Sequence, residues 1–484
     1  MEDKIMKKVF GIAALLLALV ACNKIEIQDQ PIDNADGIPF SATVSLADNA
    51  ATKALTENGS TITASWAVGE TVALIHNGVS DEMTVSSVSG GSATITGTIT
   101  GSPANGDAVT IIYPSSAADG TTGNIKADLL YTQNGLLTGE GSISDNFDAR
   151  KGEGTLKVDG TATLSGSVSL TNQFAIFKFT VKNYNGSAAI SAKPLTITIG
   201  TQDYVITPAS ATDVLYAALP AVSGENVSFD ATDGSDRTYT CAKLSVSFEA
   251  GKYYQSTLKM REYVDLGIIV DRKKIKWATC NVGASKPEEY GDYFAWGATV
   301  PFYAEGHSQD NPCSDWISGK TGYNWASYPF MQSGQSAWNY ITKYTFADEK
   351  NAGIWYGGSS FIGDNKTVLD FEDDAARANW GGSWRMPTSA EMDALLALSG
   401  EWVAYEDVNG YKFTGGNGKT LFLPAAGCRY DALFNFAGIN GYYWSSSLHE
   451  RGSDYAVSVL FRSGKAGSYD YLRYYGFSVR PVSD

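Results

Sequence analysis

Ten of the eleven tryptophans lie between Trp277 and Trp444 and only Trp66 precedes them, so the two halves of this chain cannot fill their interiors in the same way. The change of character comes near Lys259 to Tyr263 and divides 484 residues into units long enough to bury cores of their own. In the first half Phe177, Phe179 and Val181 alternate with Lys178 and Thr180, and Leu244, Val246 and Phe248 with Ser245 and Ser247. Successive side chains of a strand point to opposite faces, so this period of two means sheets with one face inward. Asn185-Gly186, Asp119-Gly120 and Asp233-Gly234 supply turns, and helical periodicity is nearly absent. An antiparallel β-sandwich region is expected over residues 38–260. Residues 261–484 read as a mixed α+β unit. There Thr388 and Glu391 form a capping box ahead of the Met392, Leu395, Leu396 stripe of a short helix, and Asp370 to Ala378 reads as a second helix.

The N-terminal end carries an address. Lys4, Lys7 and Lys8 precede an apolar run from Val9 to Val20, which closes in Leu19-Val20-Ala21-Cys22. This is a secretory signal over residues 1–21, too short to span a bilayer, followed by a linker over 22–37. The motif resembles a bacterial lipobox, which implies that Cys22 is lipidated and begins the mature chain. Asn23 rather than Asp then implies outer-membrane or surface display, with the membrane touched through the lipid alone. The net charge of −16 argues against a phosphate backbone, so nucleic acid is not an expected partner. Cys241, Cys280, Cys313 and Cys428 show no CxxC spacing; one bridge among Cys280, Cys313 and Cys428 stays open to the chain.

Two resemblances follow from ordered motifs. Thr52-Lys53-Ala54, Trp66-Ala67-Val68-Gly69-Glu70, Ile112-Tyr113-Pro114, Asn172-Gln173-Phe174, Tyr216-Ala217-Ala218-Leu219-Pro220 and Gly251-Lys252-Tyr253-Tyr254 are similar to landmarks of the Bacteroidales fimbrillin family of pilin and pilus-accessory lipoproteins. That resemblance implies a pair of β-sandwich domains. It also implies cleavage after a basic residue, which removes a strand and opens a groove for the strand of a neighbouring fimbrial subunit. Lys53 stands where the family commonly has Arg. From Tyr263 onward, Lys276-Trp277-Ala278-Thr279-Cys280-Asn281, Tyr290-Gly291-Asp292-Tyr293-Phe294-Ala295-Trp296-Gly297, Trp384-Arg385-Met386-Pro387, Leu423-Pro424-Ala425-Ala426-Gly427 and Gly476 to Val482 resemble the Fibrobacter succinogenes major paralogous domain. This implies a C-type-lectin-like fold over the rest of the chain, shared with formylglycine-generating enzymes and with variable proteins of diversity-generating retroelements.

Catalysis needs a constellation, and the sequence offers none. His76, His307 and His449 share no metal spacing, and no nucleophile or phosphate-loop motif stands out. The related oxidases need two cysteines near the C-terminus, where only Cys428 stands. The calcium motifs of C-type lectins are missing too, and the run Glu372-Asp373-Asp374 reads as a solvated face. No enzyme, cofactor or metal is therefore expected.

Recognition is better supported. Tyr469, Asp470, Tyr471, Tyr474 and Tyr475 crowd seven residues around Leu472 and Arg473, and so many polar groups are hard to bury together. Retroelement-diversified relatives vary among Tyr, Asp, Ser, His, Leu and Asn at such positions. With that pattern the expected ligand-binding set is Leu448, His449, Asp454, Tyr469, Asp470, Tyr471, Arg473, Tyr474 and Tyr475, while Trp277, Trp296, Trp384 and Trp444 read as core. The resemblances together imply a surface lipoprotein of fimbrial type. Its C-terminal run Arg480 to Asp484 lies within a folded head, so the expected place is a pilus tip, with a glycan or protein as ligand. The alternative is a monomeric glycan-binding lipoprotein serving polysaccharide uptake.

Overall fold

Alternation shapes the first strand, Ile38–Leu46: Phe40, Ala42, Val44 and Leu46 point inward while Pro39, Ser41 and Thr43 are exposed. The computed structural model describes residues 37–47, 55–302, 322–347, 363–431, 433–450 and 452–484. Cys22, Lys53, His307 and Cys313 lie outside the described residues.

The first strand enters a sheet of eight strands and pairs on both sides. It runs antiparallel to Ser92–Ile99, and parallel to Thr161–Leu164 and Val168–Asn172. Because Ser92–Ile99 is the far end of that sheet, the pairing closes it into a ring. The expected antiparallel sandwich is thus corrected for this part: the sheet is closed, and the strand that closes it lies parallel to two neighbours. Closure removes the open edges that a sandwich exposes. A second, ten-stranded sheet follows, and its inward residues join those of the first in one core that includes Trp66, Phe179, Ile197, Leu215 and Leu258.

The compositional boundary falls inside one strand. Tyr253–Val270 pairs parallel with Ala175–Asn183 through Met260, then antiparallel with Thr238–Thr240, then with Lys273–Ala278. At roughly 3.3 Å per residue it passes about 60 Å without a linker.

Beyond it, Lys273–Ala278 also pairs with Val482–Ser483, so the two ends of the C-terminal unit meet. Between them lie two three-stranded sheets and the expected helix, Ser389–Leu396. Thr388 Oγ1 accepts from the Glu391 amide at 3.3 Å, the Glu391 carboxylate accepts from the Thr388 amide at 2.8 Å, and Met392 and Leu395 are buried. The second helix differs from expectation: Phe371–Asp373 is a 3₁₀ turn, and the α-helix is Ala375–Trp380. Asp374 causes the break, since its carboxylate accepts from the Arg377 and Met386 amides at 2.9 and 2.8 Å and so acts as N-cap. Cys241, Cys280 and Cys428 are free, which removes a Cys280–Cys428 bridge, and burial pushes the thiols of Cys241 and Cys428 up to about 12.

Candidate ligand-binding face

Strands Asn440–Leu448, Tyr455–Arg462 and Lys465–Leu472 form an antiparallel sheet in which Ser458 faces Tyr469 and Ala456 faces Tyr471. The helix Ser389–Leu396 packs with Tyr443, Val459 and Phe461 on one side of it. Period two sends Tyr442, Tyr469 and Tyr471 to the other side. There Tyr471 meets Tyr442 and Phe477 edge-on, with centroids 5.5 and 5.2 Å apart.

The turn after this strand adds the rest. Tyr430, Tyr474 and Tyr475 form a triangle of rings: Tyr475 is 5.0 Å from each of the other two by centroid, at interplanar angles of 18° and 19°, and Tyr430 and Tyr474 are 6.2 Å apart. Trp325 meets Tyr474 edge-on at 4.9 Å. Offset stacking and edge contacts of this kind suit the ring quadrupoles and stiffen the array. Tyr430 comes from the hairpin Cys428–Tyr430 and Leu433–Asn435; nearby on the chain Leu433, Phe436 and Ile439 are 55, 52 and 61 % exposed. Burial raises the phenols of Tyr471, Tyr474 and Tyr475, and Tyr442 reaches about 12, so they remain neutral donors at physiological pH. The result is an aromatic cluster in which Tyr442, Tyr474 and Phe477 are buried and Tyr430, Tyr469, Tyr471 and Tyr475 are half-exposed; these four are the rings that can meet a sugar face or a planar side chain.

The expected site residues divide. Tyr471, Tyr474 and Tyr475 come together, although Tyr474 is only 9 % exposed. Tyr469 is half-buried on the same face under Lys465, Asp470 is exposed on the opposite one, and His449 and Asp454 sit near the turn into Tyr455–Arg462. Two assignments are corrected. Leu448 packs in the core with Trp444 and Phe477. Arg473 is wholly buried: its guanidinium donates to Tyr328 Oη at 2.7 Å and to the carbonyls of Ser453, Tyr344 and Lys343 at 2.7, 3.0 and 3.0 Å, with the Trp296 ring 4.6 Å away. All its charge is spent inside the fold, so none faces a ligand.

Tyr430 and Trp325 were not in the expected set, being 45 and more residues before Tyr475. Trp444 is fully buried and its Nε1 donates to the Phe294 carbonyl at 2.9 Å; Trp277, Trp296 and Trp384 are likewise in the interior. Among the described residues Asp370, Glu372 and Asp373 form an acidic group, but Lys343 Nζ lies 3.1, 3.0 and 2.5 Å from them and already supplies the cation.

No protein-family model matches the chain, and no curated protein does. Among solved structures, a fimbrial assembly protein from Parabacteroides distasonis is similar over 47 % of this chain and 94 % of its own, at 12 % identity and a TM-score of 0.27. A fimbrial protein from Bacteroides ovatus is similar over 92 % of this chain and 99 % of its own, at 13 % identity and a TM-score of 0.24. TM-scores of this size do not establish a common fold.

Proposed function

We propose that the chain is a cell-surface lipoprotein of fimbrial type that loses its first strand on maturation, accepts a neighbouring subunit's strand in its place, and binds a glycan or protein ligand through its C-terminal aromatic face. The observation that carries the reading is the position of Ile38–Leu46. This strand is paired on both sides, over eight registered residues with Ser92–Ile99, and it precedes Lys53 in the chain. A cut after Lys53 leaves it held by noncovalent contacts alone. Phe40, Val44 and Leu46 are each worth ~1.5–3 kcal/mol when buried, so an empty groove loses roughly 5–9 kcal/mol that an incoming strand of the same alternation restores. Strand addition of this kind uses the ladder for affinity and the inward pockets for selectivity.

The chain beyond the cut is fixed independently. In the hairpin Thr56–Asn58 and Thr61–Thr63, Glu57 accepts from Lys178 Nζ at 2.8 Å, Tyr216 Oη at 2.6 Å and Tyr253 Oη at 2.9 Å. Those bonds, the Lys178 ammonium first, pull the Glu57 carboxyl down from 4.5 to about 2. A depressed carboxylate contributes stability that is present above its unfolded value and lost as pH falls through its folded one. Hairpin protection from amide exchange is therefore expected to hold above pH 4.5 and to fade toward pH 2. Glu57→Gln should remove that dependence, and an unchanged profile would show that Glu57 does not hold the hairpin.

Lys53→Ala is expected to block maturation and incorporation into fibres while the C-terminal unit stays folded; normal assembly of this variant rejects Lys53 as the processing site. Recovery of wild type only as a monomer from sheared surface fractions would favour glycan capture over a fimbrial role. For the anchor, Cys22→Ser should leave precursor that no longer enters the detergent phase, and unaltered partitioning overturns the lipid assignment.

A further inference from the structure

Where the strand Tyr253–Val270 leaves the second sheet for the C-terminal unit, a cleft of about 530 Å³ opens between them. Its size is that of a small-ligand site. Lys243, Lys259 and Arg261 line it from the sheet side, with Tyr184; Trp380 and Asn379 line it from the other unit. Gly382 permits the close approach, since a Cβ there would lie 3.1 Å from the Ala242 carbonyl oxygen at a φ of +61°.

The charge in this cleft is one-sided. Its twelve lining residues include three cations and no carboxylate. The Arg261 guanidinium sits 4.2 Å from the Tyr184 ring centroid and 3.7 Å from that of Trp380, one ring from each unit. The two rings pack against the planar group, and among the described residues no acceptor takes its N–H donors, which leaves them for a ligand. No carboxylate among the described residues pairs with Arg261, Lys243 or Lys259. Burial lowers Arg261 to about 10, the sign of a cation desolvated without an anion beside it. Lys259 also has Lys182 as its register partner across the ladder, an arrangement of like charges that costs stability. A stacked arginine alone would serve to staple the two units. Lys243 and Lys259 add nothing to a staple, so the excess positive charge at this cleft has a different use in a chain whose net charge is −16.

We propose that this cleft is an oxyanion-binding site, taking a sulfate, phosphate or carboxylate group either as the free ion or carried on a saccharide. Arg261 would receive the anion on its in-plane donors, and Lys243 and Lys259 would close over it as flexible point charges. The site is separate from the aromatic face and does not depend on its role.

Calorimetric titration of the full chain with sodium sulfate and with a sulfated disaccharide, at matched sodium chloride, tests the assignment. Saturable binding of either probe is expected. Tighter binding of the disaccharide identifies the carried anion as the ligand, and equal binding identifies the free ion; both support the site. The double variant Lys243→Glu, Lys259→Glu should weaken binding by about tenfold or more, since each lost contact is a charge-assisted one. Both lysines are exposed, so the variant should melt with wild type. Arg261→Lys keeps the charge but loses the fork and should also weaken binding. Absence of saturable heat with both probes, or unchanged affinity in a folded double variant, overturns the proposal.

Discussion

Arg473→Ala is expected to lower the stability of the C-terminal unit by about 3–5 kcal/mol, on the scale of removing one partner from a buried ionic network. Arg473 joins chain segments far apart in sequence, through Tyr328 Oη and the carbonyls of Lys343, Tyr344 and Ser453. Its removal strands those acceptors in an interior from which water is excluded, and each orphaned group costs ~1–3 kcal/mol. Denaturant unfolding followed by tryptophan fluorescence reads the loss. Trp444→Ala, which empties a fully buried site, should match it at about 3–5 kcal/mol. If Arg473→Ala unfolds like wild type yet stops adhesion, the arginine belongs to the ligand surface after all.

The largest expected effect on binding comes from the stacked rings. Tyr430→Ala and Tyr475→Ala should each weaken adhesion by ~2 kcal/mol, about 30-fold, as central interface tyrosines commonly do. Their stability cost should be smaller than that of Arg473→Ala, because both rings are half-buried. Tyr474→Ala is a poorer probe: at 9 % exposure it carries packing as well. Asp470→Ala, on the opposite face of its strand, should change adhesion within about 0.5 kcal/mol. Cells displaying the full chain can be scored on immobilised glycans and matrix proteins. Full adhesion by the Tyr430 and Tyr475 variants, with loss in Asp470→Ala, would move the site to the other side of the sheet.

Local chemistry was the legible part of this molecule. The period of two in Phe177 to Val181 and the pairing of Thr388 with Glu391 each depend on neighbours within a few residues, and both appear as read. Asp374 marks the limit, because an acidic residue in a run can be a solvated face or an N-cap, and the Met386 amide that decides is twelve residues away. Ring closure of the first sheet was illegible for the same reason: Ile38–Leu46 finds partners about 50 and 120 residues onward, and no alternation pattern encodes register with remote strands. Arg473 stands among tyrosines as if on a surface, but its partners come from three other segments. Tyr430 reaches the stack from a separate hairpin, so the cluster is half visible along the chain and whole only in space.

The continuous strand Tyr253–Val270 also decides how a pull on the head would travel. Tension applied at the aromatic face enters the C-terminal sheets and passes through Lys273–Ala278 into that strand, and from there along its parallel ladder with Ala175–Asn183. A flexible tether would let the head swivel and would present its bonds to the force one at a time. Here the hydrogen bonds from Ile176 to Asn183 lie side by side across the direction of pull, so they share it and must slip together. Head and body are therefore joined through a strand paired on both sides of the seam, and a load on one passes to the other through that ladder.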